Sequence, residues 1–263
     1  MLKRLIVGAL FAGLSAGALA ALLQLSFVVP LIHEGELYET GVLTHFAAPS
    51  GGHDHDHGAG TAPEPAPDTA TGTTPGTTPG TAMADHDHPE GTPPHDHGVA
   101  PAFDLGRPLG TVGFFSITYT GFALLLVAGF ALSARVGHQV TARGGIVWGL
   151  AGFLAVQLAP AFGLPPELPG AAAAALEARQ VWWAACVAAT GAGIALIAFG
   201  RGAVAIGLAI VLIALPHLIG APTAAHAGVV PPDLAAHFAA RSLAAGALCW
   251  AVLGGIAGAI WAG

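Results

Sequence analysis

Three short runs in which histidine alternates with aspartate carry the clearest chemical signal in the chain: His53-Asp54-His55-Asp56-His57, Asp85-His86-Asp87-His88 and His95-Asp96-His97. Imidazole is the commonest transition-metal ligand, and carboxylate adds a hard, negatively charged donor. Strung along a flexible chain, His53, His55, His57, His86, His88, His95 and His97 can wrap one divalent ion with several donors at once. Such binding depends on pH, because an imidazole must be neutral to ligate. The same residues also read as a solvated polar spacer that meets metal only incidentally. The runs do not choose the metal, since donors of this kind favour copper, nickel and zinc over cobalt by the usual affinity order.

Further polar residues stand at or inside apolar runs, where ionisable groups are costly and become functional candidates by default. His33, Glu34, Glu36 and Glu39 follow the first long apolar run and read either as a second, more ordered ligand set or as ordinary interfacial polarity. Gln157 lies about one turn before Pro160, and His217 directly follows Pro216. Proline frees a backbone carbonyl one turn earlier, and broken helices recur as ion-site linings. His217 is therefore a candidate pathway ligand and Gln157 a second one, with hydrogen-bonded structural neighbours as the alternative. Glu167, Glu177 and Arg179 suit a structural salt bridge. His226 and His237 fall in the last outer loop, either solvated or ligating, and His138 lies in a turn between Arg135 and Arg143.

Cys186 and Cys249 sit in apolar runs without a CxxC spacing and read as small buried hydrophobes. Lys3 is the only lysine, which excludes a GxxxxGK[ST] phosphate loop. With no HExxH or GxSxG either, the chain does not read as an enzyme.

The elements that must position these residues are membrane helices. Only 9% of the residues are charged and 54% are hydrophobic, whereas soluble domains carry about a quarter charged residues. Apart from the adjacent Lys3 and Arg4, the eight Lys and Arg are scattered singly, so nucleic acid is not an expected partner. A span needs about 20 mostly apolar residues. That rule places spans near 5–29, 110–133, 144–162, 181–199, 203–219 and 243–262. The first run, about 25 residues long, exceeds the apolar core of a secretory signal and reads as an uncleaved helix. Only Gly200-Arg201-Gly202 separates the fourth and fifth runs, so the count is five if those two form a re-entrant hairpin or one broken helix, and six otherwise.

Three regions follow: 1–48, a first helix with its acidic juxtamembrane segment; 49–101, a disordered His/Asp-rich loop of Gly, Pro, Thr and Ala; and 102–263, the rest of a helical bundle. The positive-inside bias puts Lys3, Arg4, Arg135, Arg143 and Arg201 in the cytoplasm, with Arg107, Arg179 and Arg241 outside. The His-rich loop then faces the periplasm or extracellular space.

Several stretches stand out: Pro30-Leu-Ile-His-Glu34 and Glu36-Leu-Tyr-Glu39 within residues 1–39, Trp148-Gly-Leu-Ala-Gly-Phe153, Leu158-Ala-Pro-Ala-Phe-Gly-Leu-Pro-Pro-Glu-Leu-Pro-Gly170, Ala178-Arg-Gln-Val-Trp-Trp183 and Leu215-Pro-His-Leu-Ile-Gly-Ala-Pro222. In these the chain resembles the CbtA family of predicted cobalt-transporter subunits. With the final span these stretches cover nearly everything outside the loop. The resemblance implies cobalt uptake across a bacterial inner membrane for cobalamin synthesis, with a small, single-span, histidine-bearing companion, CbtB. No permanent cofactor is expected. The metal is cargo, Co²⁺ by resemblance, with Ni²⁺ or Zn²⁺ as alternatives. The rival readings are a non-transporting metal-binding membrane protein and a nickel importer.

Overall fold

The computed structural model describes residues 2–45, 105–224 and 228–263. The His/Asp loop lies outside the described residues, and so does His226. Among the described residues every regular element is helical. Helix α1 (Leu2–Leu23) passes through a π-helical turn (Gln24–Val28) into α2 (Val29–Glu39). Then come α3 (Gly106–Arg135) and α4 (Ala142–Phe153), the latter continuing through a second π-helical turn (Leu154–Leu158) into α5 (Ala159–Ala161). Helices α6 (Leu176–Phe199), α7 (Gly202–Ile219) and α8 (Pro232–Ala262) complete the order.

These make six helical rods long and apolar enough to cross a membrane. Arg201 is extended (φ −130°, ψ 140°) and Gly202 is left-handed (φ 79°), so α6 and α7 are separate helices rather than one broken helix. Four boundaries differ most from the hydropathy reading, because a helix need not end where its apolar run does. The first rod continues past Val29 to Glu39, α3 begins at Gly106, α6 begins at Leu176, and α8 begins at Pro232. Proline in the first turn and Asp233 beside it suit a helix start. His237 and Arg241 consequently lie on α8 rather than in a loop.

Between lipid-exposed helices there is little hydrophobic driving force, so association rests on close packing. The α4–α8 pair shows how close. A Cβ placed on Gly145 would lie 2.7 Å from the Cα of Gly258, and one on Gly254 would lie 2.8 Å from the Cα of Gly149. On α1, a Cβ at Gly17 would lie 2.7 Å from the Cα of Ser116 on α3. The pairs α1–α3, α4–α8 and α6–α7 run antiparallel; α1 also packs on α8, and α6 rests on the second π turn and α5. Phe130, Leu253, Trp250 and Tyr119 fill the centre. The outer faces stay apolar, with Val204 85% and Leu218 81% exposed on α7.

At the end of the bundle holding Glu39, the 162–175 connection folds back. Leu168 packs with Val28, Leu31, Val230 and Phe238. The Val229 N–H donates to the Gly170 carbonyl at 3.1 Å, with Gly170 in the left-handed region. All the acidic residues among the described ones (Glu34, Glu36, Glu39, Glu167, Glu177 and Asp233) belong to this end. Arg135, Arg143 and Arg201 mark the other end and make no ion pair among the described residues.

Candidate functional site

Proline sets up the site. Pro160 has no N–H to offer the Val156 carbonyl, and its ring crowds that oxygen. The ladder widens instead, and Ala159 N–H donates five residues back to Leu154. The Val156 carbonyl accepts from Trp183 Nε1 at 3.2 Å, which ties α6 to the π turn. The adjacent Trp182 turns the other way around α6, and its Nε1 donates to the Pro216 carbonyl of α7 at 3.1 Å. Two successive tryptophans thus anchor α6 to both neighbours. The first π turn has the same register: Val29 N–H donates to Gln24, Pro30 follows, and Arg241 of α8 donates to the Phe27 carbonyl at 3.3 Å. Such bulges recur at functional sites.

Between the π turn, α6 and α7 lies a cavity of about 530 Å³ lined by Leu154, Phe162, Trp182, Thr190, Ile213 and His217. His217, exposed on one side, stands edge-on to Phe162 and Trp182, with ring centroids 6.2 and 5.9 Å away. Its Nε2 lies 4.0 Å from the Cys186 sulfur. Cys186 is fully buried in the cluster of Ala159 and Trp182. Thr190, one turn along α6, is 1% exposed, lies beside that thiol, and its Oγ1 makes no hydrogen bond of good geometry.

A second polar group occupies the Glu39 end. His33 Nδ1 lies 3.0 Å from Glu36 Oε2, and Arg107 Nη2 donates to Glu36 Oε1 at 2.7 Å. These residues border a groove of about 600 Å³ between the first rod and α3, lined also by Gln24, Thr111 and Phe114. His33 and Glu36 therefore come together, whereas Glu34 projects elsewhere and is exposed. Among the described residues no three His, Cys, Asp or Glu side chains gather as a ready metal cage. Both oxygens of Glu36 are engaged, so an arriving cation competes with the Arg107 guanidinium.

Gln157 sits on the π turn but does not line the His217 cavity. Its buried Oε1 has no hydrogen-bond partner and abuts Gly246 of α8. Arg179 pairs with Glu167 at 2.6 Å rather than with the nearer Glu177. His138 stacks edge-on with Phe199 at the opposite end, and His237 is exposed on α8. Sequence reasoning missed Cys186, Thr190, Arg107 and the two anchoring tryptophans. The available signal was proline, since a freed carbonyl asks for a donor and Trp182-Trp183 can supply two.

Six apolar rods in glycine-tight contact, with a cavity bordered by the second π turn, α6 and α7, are the architecture of a multi-pass helical membrane protein. The chain belongs to the family described as "Probable cobalt transporter subunit (CbtA)", whose model matches residues 2–262. No curated protein and no solved structure matches the chain.

Proposed function

We propose that this chain is the membrane-embedded subunit of a Co²⁺ importer in a bacterial inner membrane, working with a small single-span companion. The N-terminus is cytoplasmic and the His/Asp loop faces the periplasm or extracellular space. That loop concentrates the ion through His53, His55, His57, His86, His88, His95 and His97. His33 and Glu36 then accept it in exchange for Arg107, and His217 takes it at the cavity beside α7. The observation that carries the reading is the placement of His217, a nitrogen donor turned toward a cavity between helices and held there by two aromatic rings.

The charge layout supports the orientation. Unpaired arginines at one end fit the cytoplasmic side. At the other end each arginine is already engaged: Arg107 with Glu36, Arg179 with Glu167, and Arg241 with the Phe27 carbonyl. Acidic residues dominate there, which suits a surface that receives cations. A membrane potential favours inward movement by about 2.3 kcal/mol per charge per 100 mV, so a dication gains about twice that. The test compares labelled cobalt accumulation by the unmutated chain and by His217→Ala in cells without other uptake systems. Accumulation that falls in the variant supports the assignment, and equal accumulation removes His217 from the pathway.

A further inference from the structure

We propose that the Cys186 thiol is the second protein ligand of the ion held by His217, making the cavity a nitrogen–sulfur site for a first-row transition-metal dication. The inference rests on the importer reading for its cargo, but its ligand set can be tested separately. Its first support is distance. A Zn²⁺-sized ion bonds sulfur at about 2.3 Å and imidazole nitrogen at about 2.0–2.1 Å, so the donors stand about 3.5 Å apart at a tetrahedral angle and about 4.3 Å apart if collinear. The observed 4.0 Å between Cys186 Sγ and His217 Nε2 falls between these limits. At that separation one ion can bridge the two atoms with an angle at the metal between tetrahedral and linear.

The second support is Thr190, 1% exposed on the cavity wall, whose hydroxyl lies beside the Cys186 sulfur and can donate to it once it is a thiolate. The third is preorganisation. The Trp182–Pro216 hydrogen bond fixes α6 against α7 beside His217, and the Phe162 and Trp182 rings restrict the imidazole. Cys186, 0% exposed, is shielded from lipid. Cys249 is equally buried but packs with Tyr119 and Trp250 between α3 and α8, away from this cavity.

Binding replaces the S–H bond by a sulfur–metal bond. The proton passes to water and no electrons are transferred, because the thiolate is the ligating form. The bound dication then retains one net positive charge, which lowers the cost of holding it within the membrane. Sulfur also discriminates against the hard cations Mg²⁺ and Ca²⁺, which prefer oxygen donors.

The experiment is a Co²⁺ titration of the purified full-length protein, read by the thiolate-to-cobalt charge-transfer absorption. Nitrogen and oxygen donors of the His/Asp loop contribute nothing to that band. The band is expected in the unmutated protein and in Cys249→Ser, absent in Cys186→Ser, and shifted to about tenfold or higher Co²⁺ concentration in His217→Ala. Saturating Co²⁺ that gives no band in the unmutated protein overturns the proposal, and so does a band that survives in Cys186→Ser. Labelled cobalt uptake separates the two readings. A band without accumulation in cells sinks the importer and leaves the ligand set standing. Undiminished accumulation in Cys186→Ser sinks the ligand set and leaves the importer.

Discussion

His217 bridges two levels of the molecule, since its ring meets Phe162, Trp182 and the Cys186 thiol while its backbone belongs to α7. Replacement by alanine removes the donor and leaves the Trp182–Pro216 hydrogen bond that ties α6 to α7. Cobalt accumulation should fall about tenfold or more, while the yield and thermal midpoint in detergent stay close to those of the parent. At the other polar group, Arg107 occupies Glu36 Oε1 as a built-in competitor. Arg107→Ala should tighten Co²⁺ binding to the His33–Glu36 pair; solvent screens this exposed ion pair, so stability should barely change. Calorimetric titration of a chain lacking 49–101 checks this, and unchanged affinity would show that Arg107 does not compete. His217 was legible in the sequence because a Pro-His pair stands alone in an apolar run. Cys186 and Thr190 were not, because their significance arises only from the facing helix. Glu36 likewise gave no hint of a partner 71 positions away.

Helices behave as the composition demands, yet the informative features lie where they depart from regularity. Restoring an N–H with Pro160→Ala lets Val156 rejoin the helical ladder and compete with its bond to Trp183. Uptake should drop several-fold with the protein still produced and folded, and uptake equal to the parent would mean that the π turn has no part in shaping the cavity. Gly254→Leu tests the other kind of contact, because its Cβ would lie 2.8 Å from backbone atoms of Gly149 that cannot turn aside. A loss of about 2–3 kcal/mol is expected from overpacking, read as a lowered midpoint in detergent. Gly207→Leu on α7, with nothing within 4 Å, should be nearly neutral. Apolar length alone revealed the number of rods once Arg201 and Gly202 separated α6 from α7. Their ends were less legible: His237, Arg241 and the Glu34–Glu39 segment continue as helix beyond the apolar runs, because backbone hydrogen bonding does not stop at the lipid boundary.

Across the whole molecule, charge is sorted by end, with lone arginines opposite a rim of carboxylates from which α7 and the His217 cavity open. A carrier built this way should use its His/Asp segment to raise the local ion concentration rather than to set the maximal rate. Deleting residues 49–101 should increase the half-saturating Co²⁺ concentration several-fold and leave the saturated rate unchanged; a lost maximal rate would give the segment a role inside the pathway. The membrane architecture and the family blocks were legible in the sequence, since both are carried by contiguous residues. The cavity was not, because it depends on two tryptophans reaching carbonyls on separate rods. The measurement that bears most directly on the account is labelled cobalt accumulation in cells without other uptake systems, expressing this chain with its candidate companion. Import gives a saturable, chelator-resistant internal pool that is only weakly displaced by nickel and collapses in His217→Ala. Surface-bound label that washes away with chelator, with no growth of the internal pool, would contradict it and leave a metal-binding membrane protein that does not transport.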